Sequence, residues 1–187
     1  MSEKKLIEKL ELRLSEYFDI TKEVWTECHT GRIDMVLECK ESHKPLGLEV
    51  KRINKKRGND MGLLIMQAHE YSKKNFEVNQ SFIKIPVFVF PALSYDYMIC
   101  PEEMKIIDGV EYFRDRHDKN KTHHTIQGFI GVWNVGELRV FEKRDKFKYI
   151  RFVFNNQEIW TNEKRWNSNE IKGLHYENYK KLKSRIE

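Results

Sequence analysis

Residues 31–52 read GRIDMVLECKESHKPLGLEVKR, and the fold turns on how this stretch is understood. Two apolar runs, 33–39 and 46–50, flank a polar loop that carries a proline. Runs of this length bounded by turn residues predict buried strands. Each nevertheless contains an acid. Asp34 interrupts the first run, Glu49 interrupts the second, and Lys51 follows two residues later. Alternate residues of a strand share a face, so Glu49 and Lys51 project together while Leu48 and Val50 enter a core. A hairpin with its loop near 40–43 would set Asp34 opposite Glu49. Two carboxylates and an ammonium then converge on one spot of a sheet. Opposed carboxylates repel unless a cation lies between them, and that cost points to a metal site.

The chain has 187 residues, a length that suits one domain with a substantial core. Apolar residues make up 40% and aromatics 12%, enough for a globular interior, while 34% charged residues imply a densely charged surface. A net charge of +5 and a pI near 9.0 suit a polyanionic partner. No apolar run approaches the roughly 20 residues of a membrane span. The N-terminal MSEKKLIEKLE is a charged amphipathic helix and not a signal peptide, so a cytoplasmic protein is expected. Cys28, Cys39 and Cys100 are scattered and odd in number. They predict reduced core residues, not disulfides or zinc ligands.

Leu6, Ile7, Leu10, Leu14, Tyr17 and Phe18 recur at helical spacing and predict a helix over 2–18. Residues 24–28 predict a short strand with Trp25 and Glu27, and His29-Thr30-Gly31 a tight turn into the Asp34 strand. After Lys51 comes a basic loop holding Arg52, Lys55, Lys56 and Arg57. It reads either as a solvated linker or as phosphate contacts beside the two acids. Asn59 or Asp60 caps a buried helix over about 61–75. Within it Gln67 and Tyr71 lie four apart on one face, with Lys74 a turn further on. A Gln at a buried position needs partners. The apolar run 85–91 predicts a central strand.

Beyond it, 101–112 predicts a helix and 115–125 a polar loop in which His123 and His124 are solvated. Residues 129–142 and 149–160 predict hairpins turning at Asn134-Val135-Gly136 and Asn155-Asn156. A basic helix over 169–187 ends the chain. Trp133, Trp160 and Trp166 read either as base-stacking platforms or as core. The expected organisation is a single domain over 1–187, with 1–91 as its core and 92–187 as an elaboration.

Ile33-Asp34, followed after fourteen residues by Glu49-Val50-Lys51, resembles the PD-(D/E)XK nuclease superfamily, with Ile33 in place of the leading proline. Gln67 and Tyr71, on the helix just after the Glu-X-Lys strand, resemble the QxxxY motif of its RecB-type and lambda-exonuclease-like branch. The resemblance covers about 5–91. It implies an α/β, restriction-endonuclease-like core of helix, three strands, helix and strand around a mixed central sheet. C-terminal β-hairpins and a terminal helix would follow that core. It implies one or two Mg²⁺ or Mn²⁺ ions held by Asp34, Glu49 and the Val50 carbonyl. Glu11 and Glu27 are further candidate ligands, and each also reads as an ordinary solvated glutamate.

In the manner of that family, Lys51 would orient or activate the attacking water, and Gln67 would position that water or Lys51. Tyr71 would contact substrate phosphate or brace its helix, and Arg52, Lys55, Lys56, Arg57 and Lys74 would bind substrate. The implied activity is metal-dependent hydrolysis of DNA phosphodiesters, with exonuclease and endonuclease both open. A stand-alone enzyme of this size suits a phage or mobile element, repair or restriction. Members with an iron–sulfur cluster carry four cysteines for it, so three scattered ones argue against a cluster. No P-loop or helicase motif is present, so any motor would lie on another chain; a homo-oligomer is compatible. Two alternatives stand beside this reading. One is a catalytically silent protein of the same fold that binds nucleic acid or a protein partner. The other is an unrelated α/β protein whose Asp34, Glu49 and Lys51 form a buried salt bridge, with two acids unbalanced against one lysine.

Overall fold

The strand β3 (Pro45–Arg52), PLGLEVKR, is buried over its first six residues. A strand covered on both faces lies inside a sheet that has layers above and below it. The computed structural model describes residues 2–53, 60–92, 103–107, 110–114, 133–143, 146–155, 157–162, 173–174 and 176–187. Helix α1 (Glu3–Leu14) leads into β1 (Phe18–Trp25), β2 (Arg32–Cys39) and β3. Helix α2 (Asp60–Ser72) and the hairpin β4 (Asn75–Val78) and β5 (Ser81–Lys84) precede β6 (Val87–Ala92). A second hairpin, β7 (Glu103–Ile107) and β8 (Val110–Arg114), comes next. Strands β9 (Gly136–Lys143), β10 (Lys146–Phe154), β11 (Gln157–Thr161) and β12 (Gly173–Leu174) precede the last helix, α3 (Tyr176–Ile186).

The fold is α/β. Eight strands form one mixed sheet in the order β1-β2-β3-β6-β9-β10-β11-β12. β3 pairs parallel with β6, and β6 with β9, while the remaining neighbours are antiparallel. A parallel step requires a crossover, and α2 with the β4–β5 hairpin makes the one from β3 to β6. On one face α1 and α3 bury Leu6, Leu10, Leu14, Tyr179 and Leu182 against Leu48, Val50, Phe88, Phe90 and Phe152. On the other, α2 packs Leu64, Ala68 and Tyr71 with Val36, Val87 and Val89.

Several elements depart from the sequence expectation. α1 stops at Leu14, with Ser15 as its cap, and Phe18 opens β1. There Phe18 packs edge-on to Phe152 at 5.6 Å and against Trp160 at 4.7 Å, so tertiary contact overrides the helical spacing. α2 ends at Ser72, and Asn75 begins a hairpin that the sequence reading had not foreseen. The helix expected over 101–112 is instead the antiparallel pair β7–β8, with Ile107 opposite Val110. β-Branched and aromatic residues around an Asp-Gly dipeptide favour strands and a tight turn.

Asn134-Val135-Gly136 leads into β9, which joins the sheet beside β6 and not in the hairpin expected; 129–132 lie outside the described residues. The β10–β11 hairpin forms as expected, with Asn155 at φ 47° in its turn. The last helix starts at Tyr176. Trp160 is core, 2% exposed, whereas Trp133 is exposed. Cys39 is buried, but Cys28 is exposed, against expectation. Cys100, Trp166 and the loop 115–125 with His123 and His124 lie outside the described residues. No described helix is long and apolar enough to cross a membrane.

Candidate active site

β2 and β3 pair in the register Met35 to Leu48 through Glu38 to Pro45. That register carries Asp34 level with Glu49, as the hairpin argument requires. The backbone ladder ends at the Met35 pair, and beyond it the Val50 N–H donates to Asp34 Oδ2 at 2.7 Å. A buried N–H must find an acceptor, and Asp34 replaces the carbonyl that the diverging strand no longer presents. On the other side, β1 pairs Lys22 with Met35 and Val24 with Ile33, so Glu23 faces Asp34. Glu23 sits at φ 57°, which non-glycine residues seldom adopt. Its carboxylate is paired with Arg32 and adds to the repulsion felt by Asp34.

Glu49 is 5% exposed, and its Oε2 is buried without a hydrogen-bond partner among the described residues. Burial pushes Glu49 up to about 8, and the neighbouring Asp34 charge adds to the shift. Burial also pushes Asp34 up to about 6, against the pull of the Val50 N–H. The fold therefore holds two carboxylates where neither ionises easily. Lys51 lowers both, yet its one ion pair among the described residues is with Glu3, at 3.8 Å. Glu3 Oε2 also accepts the Arg52 N–H at 3.0 Å.

Glu3 is the helix acid at this site. Glu11 is not: it pairs with Lys22 of β1 at 2.9 Å. The stripe that buries Leu6, Leu10 and Leu14 passes through Glu3, three residues before Leu6. That helical phase was the sequence signal for Glu3. Glu27 is drawn towards β4. Its N–H donates to the Asn75 carbonyl at 3.1 Å, and its carboxylate accepts Asn75 Nδ2 at 2.9 Å.

Gln67 and Tyr71 do come together. Gln67 Nε2 donates to the Tyr71 hydroxyl at 3.0 Å. That hydroxyl donates to the Arg32 carbonyl at 3.0 Å and accepts the Arg32 N–H at 3.3 Å. The ring lies on Gly31, where a Cβ would stand 2.6 Å from Tyr71 Cε1. Tyr71 is thus a brace between α2 and the start of β2, two residues before Asp34, and its hydroxyl is committed to main chain. Lys74 Nζ donates to Thr30 Oγ1 at 3.1 Å, beside the same turn. The Arg52 side chain is exposed at the end of β3, and Lys55, Lys56 and Arg57 lie outside the described residues.

The sequence reading missed Glu137. Glu49 pairs in register with Val89, and Val89 with Glu137, so the three share one row across the sheet. Glu137 accepts from Arg139 Nε at 2.9 Å in a buried ion pair. Its alternation with Leu138 and Val140 resembled a solvent-facing side, but β9 is interior to the sheet.

Asp34 and Glu49 bring hard carboxylate oxygens together beside the Val50 main chain, whose N–H is on Asp34. Among the described residues no group of three or more His, Cys, Asp and Glu side chains forms a ready cage. Mg²⁺ does not need one, because it keeps several waters and binds through one or two carboxylates plus substrate phosphates. The orphaned Glu49 oxygen and the uncompensated pair fit such an ion. No protein-family model matches the sequence, and neither a curated protein nor a solved structure matches the chain.

Proposed function

We propose that this protein is a metal-dependent DNA nuclease of the PD-(D/E)XK type. The carrying observation is the part-buried Asp34 level with the buried Glu49, an unpartnered carboxylate oxygen on Glu49, and Lys51 two residues along the same strand. The order α1, β1–β3, α2, β6 agrees with the helix, three strands, helix, strand core of a restriction-endonuclease-like protein, here with a hairpin before β6. The Gln67–Tyr71 pair supports the RecB-type branch. The salt-bridge alternative is disfavoured because Lys51 pairs with Glu3 and with neither Asp34 nor Glu49.

Asp34, Glu49 and the Val50 carbonyl would hold Mg²⁺ or Mn²⁺. Such an ion supplies a Lewis acid for the phosphate and a more acidic bound water. The chain does the rest. Lys51 is partly exposed at the strand end, where it orients the attacking water and offsets negative charge on the phosphoryl oxygens in the transition state. Glu3 fixes the end of β3 through the Arg52 N–H and restrains Lys51. Gln67 and Tyr71 lock α2 to β2 and so hold Asp34 in place. Of the basic residues assigned to substrate, Arg52 and Lys74 lie among the described residues.

The test is incubation with linear and covalently closed circular DNA in Mg²⁺, Mn²⁺ or EDTA, beside Glu49→Gln and Lys51→Ala. Metal-dependent cleavage lost in both variants is expected, and loss of linear DNA alone would make the enzyme an exonuclease. DNA retarded on a gel but uncut under every metal would replace this reading with a silent binding module.

A further inference from the structure

The catalytic row ends at β1, and beyond it lies a cavity of about 550 Å³ between the β1–β2 face and the β4–β5 turn. That volume falls within the roughly 300–1,000 Å³ of small-molecule sites. Trp25 lines it and is 45% exposed, an unusual placement for the largest apolar side chain. The ring is held on a strand, in register with Arg32, whose guanidinium lies 5.3 Å from its centroid. His29 lies 5.8 Å away and also lines the cavity. The remaining wall carries Asp19, Glu23, Glu38 and Glu77 against Lys22, together with the amides of Asn79 and Gln80.

This lining selects its ligand. Glu23 is paired with Arg32 and Glu38 accepts Asn79 Nδ2 at 2.8 Å, so Asp19 and Glu77 are the carboxylates that make this wall unfavourable to a phosphate. They accept hydrogen bonds from a neutral donor such as an exocyclic amine or ring N–H, as acids do from cytosine. An exposed indole backed by a guanidinium offers a flat π-face. Glu23 belongs to both places, since it lines the cavity and stands across from Asp34 in the strand register. Glu23 therefore joins the cavity to the carboxylate site.

We propose that Trp25 and the cavity beside it form a nucleobase site, which takes an unpaired base next to the scissile phosphate and makes single-stranded or frayed DNA the preferred substrate. The proposal rests on the nuclease reading for the identity of its ligand. It supplies what the basic residues cannot, namely a discrimination between paired and unpaired bases.

The experiment uses the full chain carrying Glu49→Gln in EDTA, so that binding is read without cleavage. A labelled single strand and an abasic strand of equal phosphate count are titrated against it by anisotropy. Trp25→Ala is expected to weaken the base-bearing strand about fivefold to a hundredfold, as loss of a stacking aromatic does. The abasic strand should be unaffected, and Trp25→Phe should restore most of the loss. Equal binding of the two strands, or equal loss of both in Trp25→Ala, overturns the proposal. A Lys-rich peptide that quenches the fluorescence absent from Trp25→Phe, where free nucleosides do not, would assign the cavity to a protein partner and also overturn it. Cleavage by the unmodified active site without any Trp25 dependence removes the base site and leaves the nuclease reading standing. Trp25-dependent base binding without cleavage does the reverse.

Discussion

Replacing Glu49 by Gln removes one charge and keeps the side-chain shape, so it isolates the electrostatic cost of the acid pair. In the folded chain Glu49 titrates near 8 and not near its ordinary 4.5, because burial disfavours the charge and Asp34 repels it. Between those values the native state binds more protons than the unfolded chain. The stability linked to Glu49 is therefore fully present below about 4.5 and is lost as pH rises through about 8. The difference amounts to about 3 kcal/mol at pH 7 and about 5 kcal/mol at pH 9. Gln escapes this loss. Glu49→Gln should match the parent near pH 4 and exceed it by about those amounts at pH 7 and 9. With about 2–4 °C per kcal/mol for a chain of this size, the melting temperature at pH 7 should rise by roughly 6–12 °C. Thermal and urea melts in EDTA across pH 4–9 are the assay. Mg²⁺ provides the control, since saturation at a hundredfold over Kd stabilises the parent by about 2.7 kcal/mol and should leave the variant unmoved. Parallel pH profiles for the two proteins, or a variant less stable at pH 9, would show that Glu49 carries no such electrostatic cost.

Tyr71→Phe should cost about 1–3 kcal/mol in urea melts, because it leaves the Arg32 carbonyl and N–H without their shared hydroxyl. Its affinity for DNA should be unchanged; unaltered stability with lost affinity would make Tyr71 a substrate contact instead of a brace. Tyr179 donates to the Pro45 carbonyl at 3.1 Å, and burial pushes its phenol up to about 12. The stability linked to it is present below about 10 and lost as pH rises through about 12, so Tyr179→Phe should flatten the alkaline end of the melting profile. A tyrosinate absorbance titration with every phenol ionising near 10 would contradict this.

The segment 31–52 was legible because its apolar runs and its loop length constrain one another. Given a hairpin, the side-chain period of two forces Asp34 and Glu49 level, and the observed register agrees. Gln67 and Tyr71 were legible as a pair for a similar reason, since helical geometry alone brings four-apart residues together. Their target was not, because Arg32 is 39 residues away from Tyr71 and meets it through the packing of α2 on the sheet. The misread helix over 101–112 shows the opposite failure. Its composition suits either state, and the Asp-Gly dipeptide between β7 and β8 favours a tight turn between strands.

Which residues are chemically unusual is legible from the sequence: two acids inside apolar runs, a lysine beside one of them, and a Gln–Tyr pair on an apolar helix, expected buried but with Leu63 and Met66 exposed. Local periodicity suffices for that, because it depends on residues a few positions apart. Tertiary structure alone decided which charges meet. It brought Glu3 rather than Glu11 to Lys51, sent Glu27 to β4, and set Glu137 in the same row as Glu49. It also raised the two acids to about 6 and about 8. Those outcomes follow from how helices dock and how strands order in the sheet, and from the water that such packing excludes. Desolvation and charge–charge distance are properties of the assembled fold, and no stretch of sequence carries them.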